Sequence, residues 1–260
     1  MIVSLRQYSS HHKGSDEPEG FLYFRSVKTM EYSTKHQIKT AIMVDGGFYK
    51  KRAYYYNGFE RPEDSAKALN DYCYSLLSSR YEDRFLYRIF YYDCLPISKK
   101  VYHPLLHTTV DLGKTDEYKW STEFIKTLRS YRKFAVRLGN LSAETAQYTL
   151  KQSSLKKLMN GTISPEELTE DDFQFRIEQK GVDMRIGIDI SSLALKKQVD
   201  QIILISGDSD FVPAAKHARR EGIDFILAPM GATIKPDLFE HIDGMINRPK
   251  EKITKTYTEK

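Results

Sequence analysis

The sequence predicts an α/β fold with a mostly parallel sheet, and two observations carry that expectation. Short β-prone runs alternate along the chain with stretches of helical periodicity. The first confident run, Thr40 to Val44 (TAIMV), is apolar at every position but its first, as a strand covered on both faces should be.

Taken in order, residues 1–37 show no sustained periodicity and read as an N-terminal extension. The strand at 40–44 is followed by Gly46-Gly47, a turn signal. A helix is expected from about Glu63 to Ser79, because Ala66, Leu69, Tyr72, Cys73 and Leu76 repeat at i, i+3, i+4 spacing. The next strand is FLYRIFYYD at 85–93, then a helix from about Thr115 to Tyr131. Two β-prone segments, FAVRLGNL and FQFRIEQKG, flank a polar insertion at 142–171 that carries one short helix. A helix over about 183–197, a buried strand at 202–206, a helix over 211–220 stopped by Gly222, and a strand at 224–228 complete the pattern. The domain thus spans 38–246, and 247–260 form a basic polar tail.

Bulk properties narrow the function classes. Forty per cent hydrophobic and 29% charged residues describe an ordinary globular chain, and a net charge of +5 mildly favours a polyanionic partner. Two cysteines, Cys73 and Cys94, exclude a disulfide framework and give no CxxC zinc signal. No run of about 18 apolar residues marks a membrane span, and the first residues lack a signal-peptide pattern, so a cytoplasmic protein is expected.

Ligands in open parallel sheets sit beyond the carboxyl ends of the strands, which directs attention to the residues there. Asp45 closes the first strand and Asp93 the second. Asp208 and Asp210 follow the strand at 202–206, and Asp183 opens a helix. Unit charges 4 Å apart repel by about 4 kcal/mol at an effective dielectric near 20, so such a cluster calls for a cation or raised pKa values. Carboxylates without nearby His or Cys point to a hard ion, Mg²⁺ or Mn²⁺, and to hydrolysis of a phosphodiester. Plainer readings stand beside this one. Asp45 also reads as a turn residue, Asp183 as an N-cap, and Asp208 or Asp210 as the cap of the following helix. One cap, however, does not account for two acids together with Asp45 and Asp183. Asp93 reads equally as a turn residue before Pro96. Asp189, near Arg185 and Lys196, reads as solvated or paired.

Lys50, Lys51 and Arg52, with Tyr54 to Tyr56, follow Asp45 directly and are candidate substrate contacts. Ser206 and Ser209, flanking the acids, join them. A second basic run, Lys126 to Lys157 with Tyr131, Phe134 and Tyr148 interleaved, reads either as a track for single-stranded nucleic acid or as a solvated face over core aromatics.

Three segments resemble the NYN family, a branch of the PIN-like nucleases: MVDGGFY at 43–49, KGVDMRIGIDI at 180–190 and SGDSDFVPAAKHARREG at 206–222. The resemblance spans roughly residues 39–230. It implies a PIN-like Rossmannoid three-layer sandwich and an Mg²⁺- or Mn²⁺-dependent ribonuclease, with Asp45, Asp183, Asp208 and Asp210 as the acidic set. RNA is then a more natural partner than DNA, and assembly into a homo-oligomer stays open. Phe48 departs from the pattern, since many members carry Asn there. The competing reading is a non-catalytic RNA-binding or scaffold protein on the same fold. A haloacid-dehalogenase-like phosphatase would need an acid where Gly47 stands, and a toprim-type site normally has Glu where Asp45 stands.

Overall fold

In a computed structural model, residues 37–58 and 60–248 are described, and all statements below concern these. The expected extension, apart from Gln37, and most of the expected tail lie outside them. In chain order the elements are β1 (Ile38–Asp45), α1 (Gly46–Asn57), α2 (Pro62–Leu77), β2 (Arg84–Cys94), β3 (Lys100–His103), β4 (Thr108–Asp111), α3 (Asp116–Ser130), β5 (Phe134–Leu141) and β6 (Gln147–Leu150). They continue with α4 (Gln152–Met159), β7 (Phe173–Arg176), β8 (Gln179–Lys180), α5 (Val182–Leu195), β9 (Gln201–Ile205), α6 (Val212–Arg220), β10 (Asp224–Leu227), α7 (Pro236–Phe239) and β11 (Gly244–Met245).

Seven strands form one sheet in the order β11-β10-β9-β1-β2-β5-β8. Every pairing in it is parallel except that of β5 with the short edge strand β8. Strand side chains alternate in direction, and here both directions are buried. Ala41, Met43, Ile202 and Leu204 pack under α5 and α6, while Ile42, Val44, Ile203 and Ile205 pack under α2 and α3. The result is the PIN-like Rossmannoid sandwich of three layers, with two cores separated by the sheet.

The expected helix at 63–79 is α2, and all five residues that predicted it are buried. Two expectations need correction. Gly46-Gly47 does not end in a turn but opens α1. Asp45 caps that helix, its Oδ1 accepting from the Phe48 N–H at 3.1 Å. Glycine is required by space: a Cβ on Gly46 would lie 2.5 Å from the Tyr92 carbonyl and 2.6 Å from the Tyr91 hydroxyl. The FQFRIEQKG segment is not one strand either. Its first half, β7, pairs with β6 in a small separate sheet, and only Gln179 and Lys180 reach the main one. A hairpin of β3 and β4, absent from the sequence expectation, supports this outlying part. Buried His103 lies against the rings of Tyr148 and Phe173.

Candidate active site

Parallel strands deliver their ends to one edge of the sheet. Val44 pairs with Ile205 and Asp45 with Tyr92, so the residues after β1, β2 and β9 meet there. Ser206 is fully buried and its hydroxyl donates to Asp45 Oδ2 at 3.1 Å. The Asp208 N–H in turn reaches Ser206 Oγ at 3.3 Å. Asp208 Oδ1 accepts from the Asp210 N–H at 3.1 Å and caps the single 3-10 turn (Ser209–Phe211) that leads into α6.

The helix-cap alternatives therefore resolve unevenly. Asp45 and Asp208 are caps as well as members of the cluster. Asp183 is not an N-cap: Gly181 holds that position, and Asp183 sits in the first turn of α5. Neither the Asp183 nor the Asp210 carboxylate makes a hydrogen bond or ion pair among the described residues.

Electrostatics tie the four together. Burial raises the pKa of Asp45, the Phe48 N–H and Ser206 hydroxyl oppose that rise, and the charges of Asp183 and Asp208 add to it. Asp183 is exposed as a residue, yet its carboxyl is partly stripped of water. Desolvation raises its pKa first, then the charges of Asp208 and Asp210. Among the described residues no three acidic, histidine or cysteine side chains close into a metal cage. The array is open. Carboxylates that do not close a cage could hold a divalent ion only through one or two of them, with water or phosphate oxygens in the remaining positions. The fit rests on the donor chemistry: oxygen donors alone, two of them unpaired, with mutual repulsion that a cation would relieve.

The remaining candidates separate into free and committed groups. Lys50 Nζ lies 2.8 Å from Asp93 Oδ2. Asp93 is buried and also accepts from the Tyr91 hydroxyl and the Cys94 N–H, so it anchors Lys50 rather than forming a turn. Lys51 is exposed. Arg52 is committed elsewhere: its Nε and Nη2 donate to the Met230 carbonyl at 3.1 and 2.8 Å, and Nη2 also donates to Tyr56 Oη. Ser206 serves Asp45 from a buried position. Ser209 Oγ accepts from Lys235 Nζ at 3.1 Å, which brings a lysine to the 208–210 turn that sequence reasoning missed. Lys235 lies twenty-five residues beyond Asp210 in an irregular stretch, and nothing local in the sequence marks it. Asp189 is paired as expected, but with Arg137 and Tyr92 rather than Arg185 or Lys196.

Phe48 sits over the turn between the acids. A Cβ on Gly207 would fall 2.9 Å from Phe48 Cε2, so the glycine is what lets the ring approach. Part of the basic run at 126–157 is committed elsewhere, while Arg129, Arg132, Lys151, Lys156 and Lys157 stay exposed. Lys126 pairs with Glu123, Lys133 donates to the Leu86 carbonyl and Arg137 pairs with Asp189. Tyr131 and Phe134 pack against the core, and Tyr148 packs on His103 and Phe175.

No curated protein matches the chain. A solved structure of a protein of unknown function from Vibrio parahaemolyticus is similar at 14% identity, covering 82% of this chain and 94% of that one with a TM-score of 0.45. The NYN domain model matches residues 114–247, which contain Asp183, Asp208 and Asp210. With half of its length matched, the chain belongs to the NYN domain family of PIN-like nucleases.

Proposed function

We propose that this protein is a divalent-metal-dependent ribonuclease whose site is the aspartate cluster at the carboxyl edge of the sheet. The observation that carries the reading is the pair Asp183 and Asp210, two carboxylates without protein partners among the described residues. Asp183 is electrostatically coupled to Asp208 and Asp210, and Asp45 to Asp183 and Asp208. Unsatisfied like charges drawn together cost stability, and a site for a cation is the arrangement that makes use of them.

Asp45, Asp183, Asp208 and Asp210 would hold Mg²⁺ or Mn²⁺. Such an ion supplies an activated water and neutralises charge on the phosphate. The chain's own residues do the rest. Ser206 and the Phe48 N–H fix the orientation of Asp45. The Asp210 N–H fixes Asp208. Lys50, held by Asp93, together with Lys51 and Lys235, offers cations to the phosphates on either side. Arg52, bonded to the Met230 carbonyl, holds α1 in position. RNA as substrate and a cytoplasmic setting complete the proposal; no helix among the described residues is long and apolar enough to cross a membrane.

The test is incubation of purified protein with labelled single-stranded RNA and DNA in Mg²⁺, Mn²⁺ or EDTA. Cleavage of RNA in either metal and none in EDTA is expected. Binding of RNA without cleavage in any metal would favour the scaffold alternative, to which Phe48, standing where many members have Asn, would then give a reason.

A further inference from the structure

A cavity of about 440 Å³ opens between α1, α2 and α3. Its wall includes Tyr54, Lys50, Glu60, Asp116, Glu117 and Trp120. The volume lies within the usual range for small-molecule sites. Lys50, Glu117 and Ser121 also line a smaller hollow against Asp93 and Cys94, so the cavity continues toward the strand ends. One helix joins cavity and acids. Asp45 caps α1, and Tyr54 lies nine residues further on, about 13 Å along the axis.

The lining sets the class of ligand. Three acids against one lysine repel a phosphate, so the group that enters is not the backbone of a nucleic acid. Tyr54 is 65% exposed and offers an aromatic face. Glu117 is exposed and its carboxylate makes no hydrogen bond or ion pair among the described residues, whereas Asp116 is engaged by Lys119. A carboxylate presents two acceptor oxygens side by side. Among the common bases, guanine alone presents two adjacent donors, its ring N1–H and its amino group. Adenine and cytosine offer one donor beside an acceptor, and uracil one donor between two carbonyls.

We propose that this cavity is a guanine subsite, with Tyr54 stacking on the base and Glu117 reading its donor edge, while the phosphate stays at the mouth, outside the acidic lining. The inference rests on the nucleic-acid reading above and gives that site a base preference. Stacking of a base on an aromatic side chain is the common device for single strands.

Trp120 is the only tryptophan of the chain, and its ring lines the cavity while stacking on Phe124 at 4.9 Å. Its emission therefore reports occupancy. The experiment titrates the full chain in EDTA with GMP, AMP, CMP and UMP. GMP should half-saturate the emission change at a concentration at least tenfold below UMP, and Glu117→Gln should abolish that preference. Tyr54→Ala should raise the GMP half-saturation point several-fold. An equal response to all four nucleotides, no response, or a preference that survives Glu117→Gln overturns the proposal. Because no metal or cleavage enters the measurement, the two readings fail separately. A guanine-selective response in a protein that cleaves nothing keeps the subsite and removes the nuclease. Metal-dependent cleavage with no base preference does the reverse.

Discussion

The two edges of the central sheet differ in how many of their acidic residues are left without a partner. At the amino edge the carboxylates are occupied. Asp200 accepts from the Lys39 N–H at 2.8 Å, Asp224 from Gln201 at 2.6 Å, and Glu82 is bridged by Arg84 at 2.6 Å. Gln201, fully buried, knits three of these strands by also accepting from Thr40 at 3.0 Å. At the carboxyl edge Asp93 is likewise held, by Lys50 and Tyr91, but among the described residues Asp45 and Asp208 accept only neutral donors, and Asp183 and Asp210 accept none. One edge spends its charge on holding strands together. The other leaves two carboxylates unpaired at a cost to folding, and groups of that kind are candidates for function.

The sharpest way to break this contrast is Asp208→Asn. Asparagine can still cap the 209–211 turn, so the fold should persist. Metal-dependent cleavage should fall by at least about 100-fold, while RNA binding holds or tightens because a repelling charge is gone. Equal cleavage rates in variant and parent would remove Asp208 from the chemistry.

At the opposite edge, Gln201→Leu should cost about 1–3 kcal/mol, since Thr40 and Asp224 lose a buried partner. Urea unfolding measures this, and activity per folded molecule should not change. A loss of activity without loss of stability would erase the division of labour between the edges.

Between these lies the salt dependence of binding. Replacing Lys51 and Lys235 together with Ala should make the log–log salt slope for single-stranded RNA shallower by about 1.4. An unchanged slope would show that neither lysine meets phosphate.

Asp183→Asn should raise the melting temperature of the metal-free protein and shrink the rise produced by added Mn²⁺. The sign follows from the raised pKa. A carboxyl that binds its proton more readily in the folded state than at its ordinary value of 3.8 adds no penalty below that pH. The penalty grows as pH climbs past 3.8 and is complete above the folded pKa. Stability of the parent should therefore decline across that window more than that of the variant, as thermal scans at stepped pH would reveal.

The smallest effect belongs to Lys126→Ala. Its exposed ion pair with Glu123 is worth roughly 0.3–0.5 kcal/mol at most, and RNA affinity should stay constant. A marked loss of affinity would restore the 126–157 run as a binding surface.

What could be read in advance was what neighbours in the chain determine. The spacing of Ala66, Leu69, Tyr72, Cys73 and Leu76 fixed the buried face of α2, and two-sided apolar runs placed β1 and β9 inside the sheet. The SGDSDF segment identified itself because a buried strand and a helix start within a few residues of each other. What stayed hidden depends on partners far away. Gly46-Gly47 reads as a turn until the close approach of β2 is known, since only then does a glycine at a helix start make sense. Lys133 and Arg137 look like phosphate contacts until Leu86 and Asp189 claim them. The short strands β3, β4 and β6 are too brief and polar for alternation to declare them, and the contacts of Tyr148 and Phe173 with His103 join residues far apart in the chain.

Arg52 and Tyr56 send three donors to one carbonyl, that of Met230, which sits in the left-handed region at φ 49°. This latch fastens a helix made early in the chain to a residue made late. During synthesis α1 must therefore wait, capped at one end and untethered at the other, until the ribosome has released the segment around position 230. A nascent or truncated chain ending before it would carry every aspartate of the cluster and still lack the fastening of α1 at Arg52 and Tyr56.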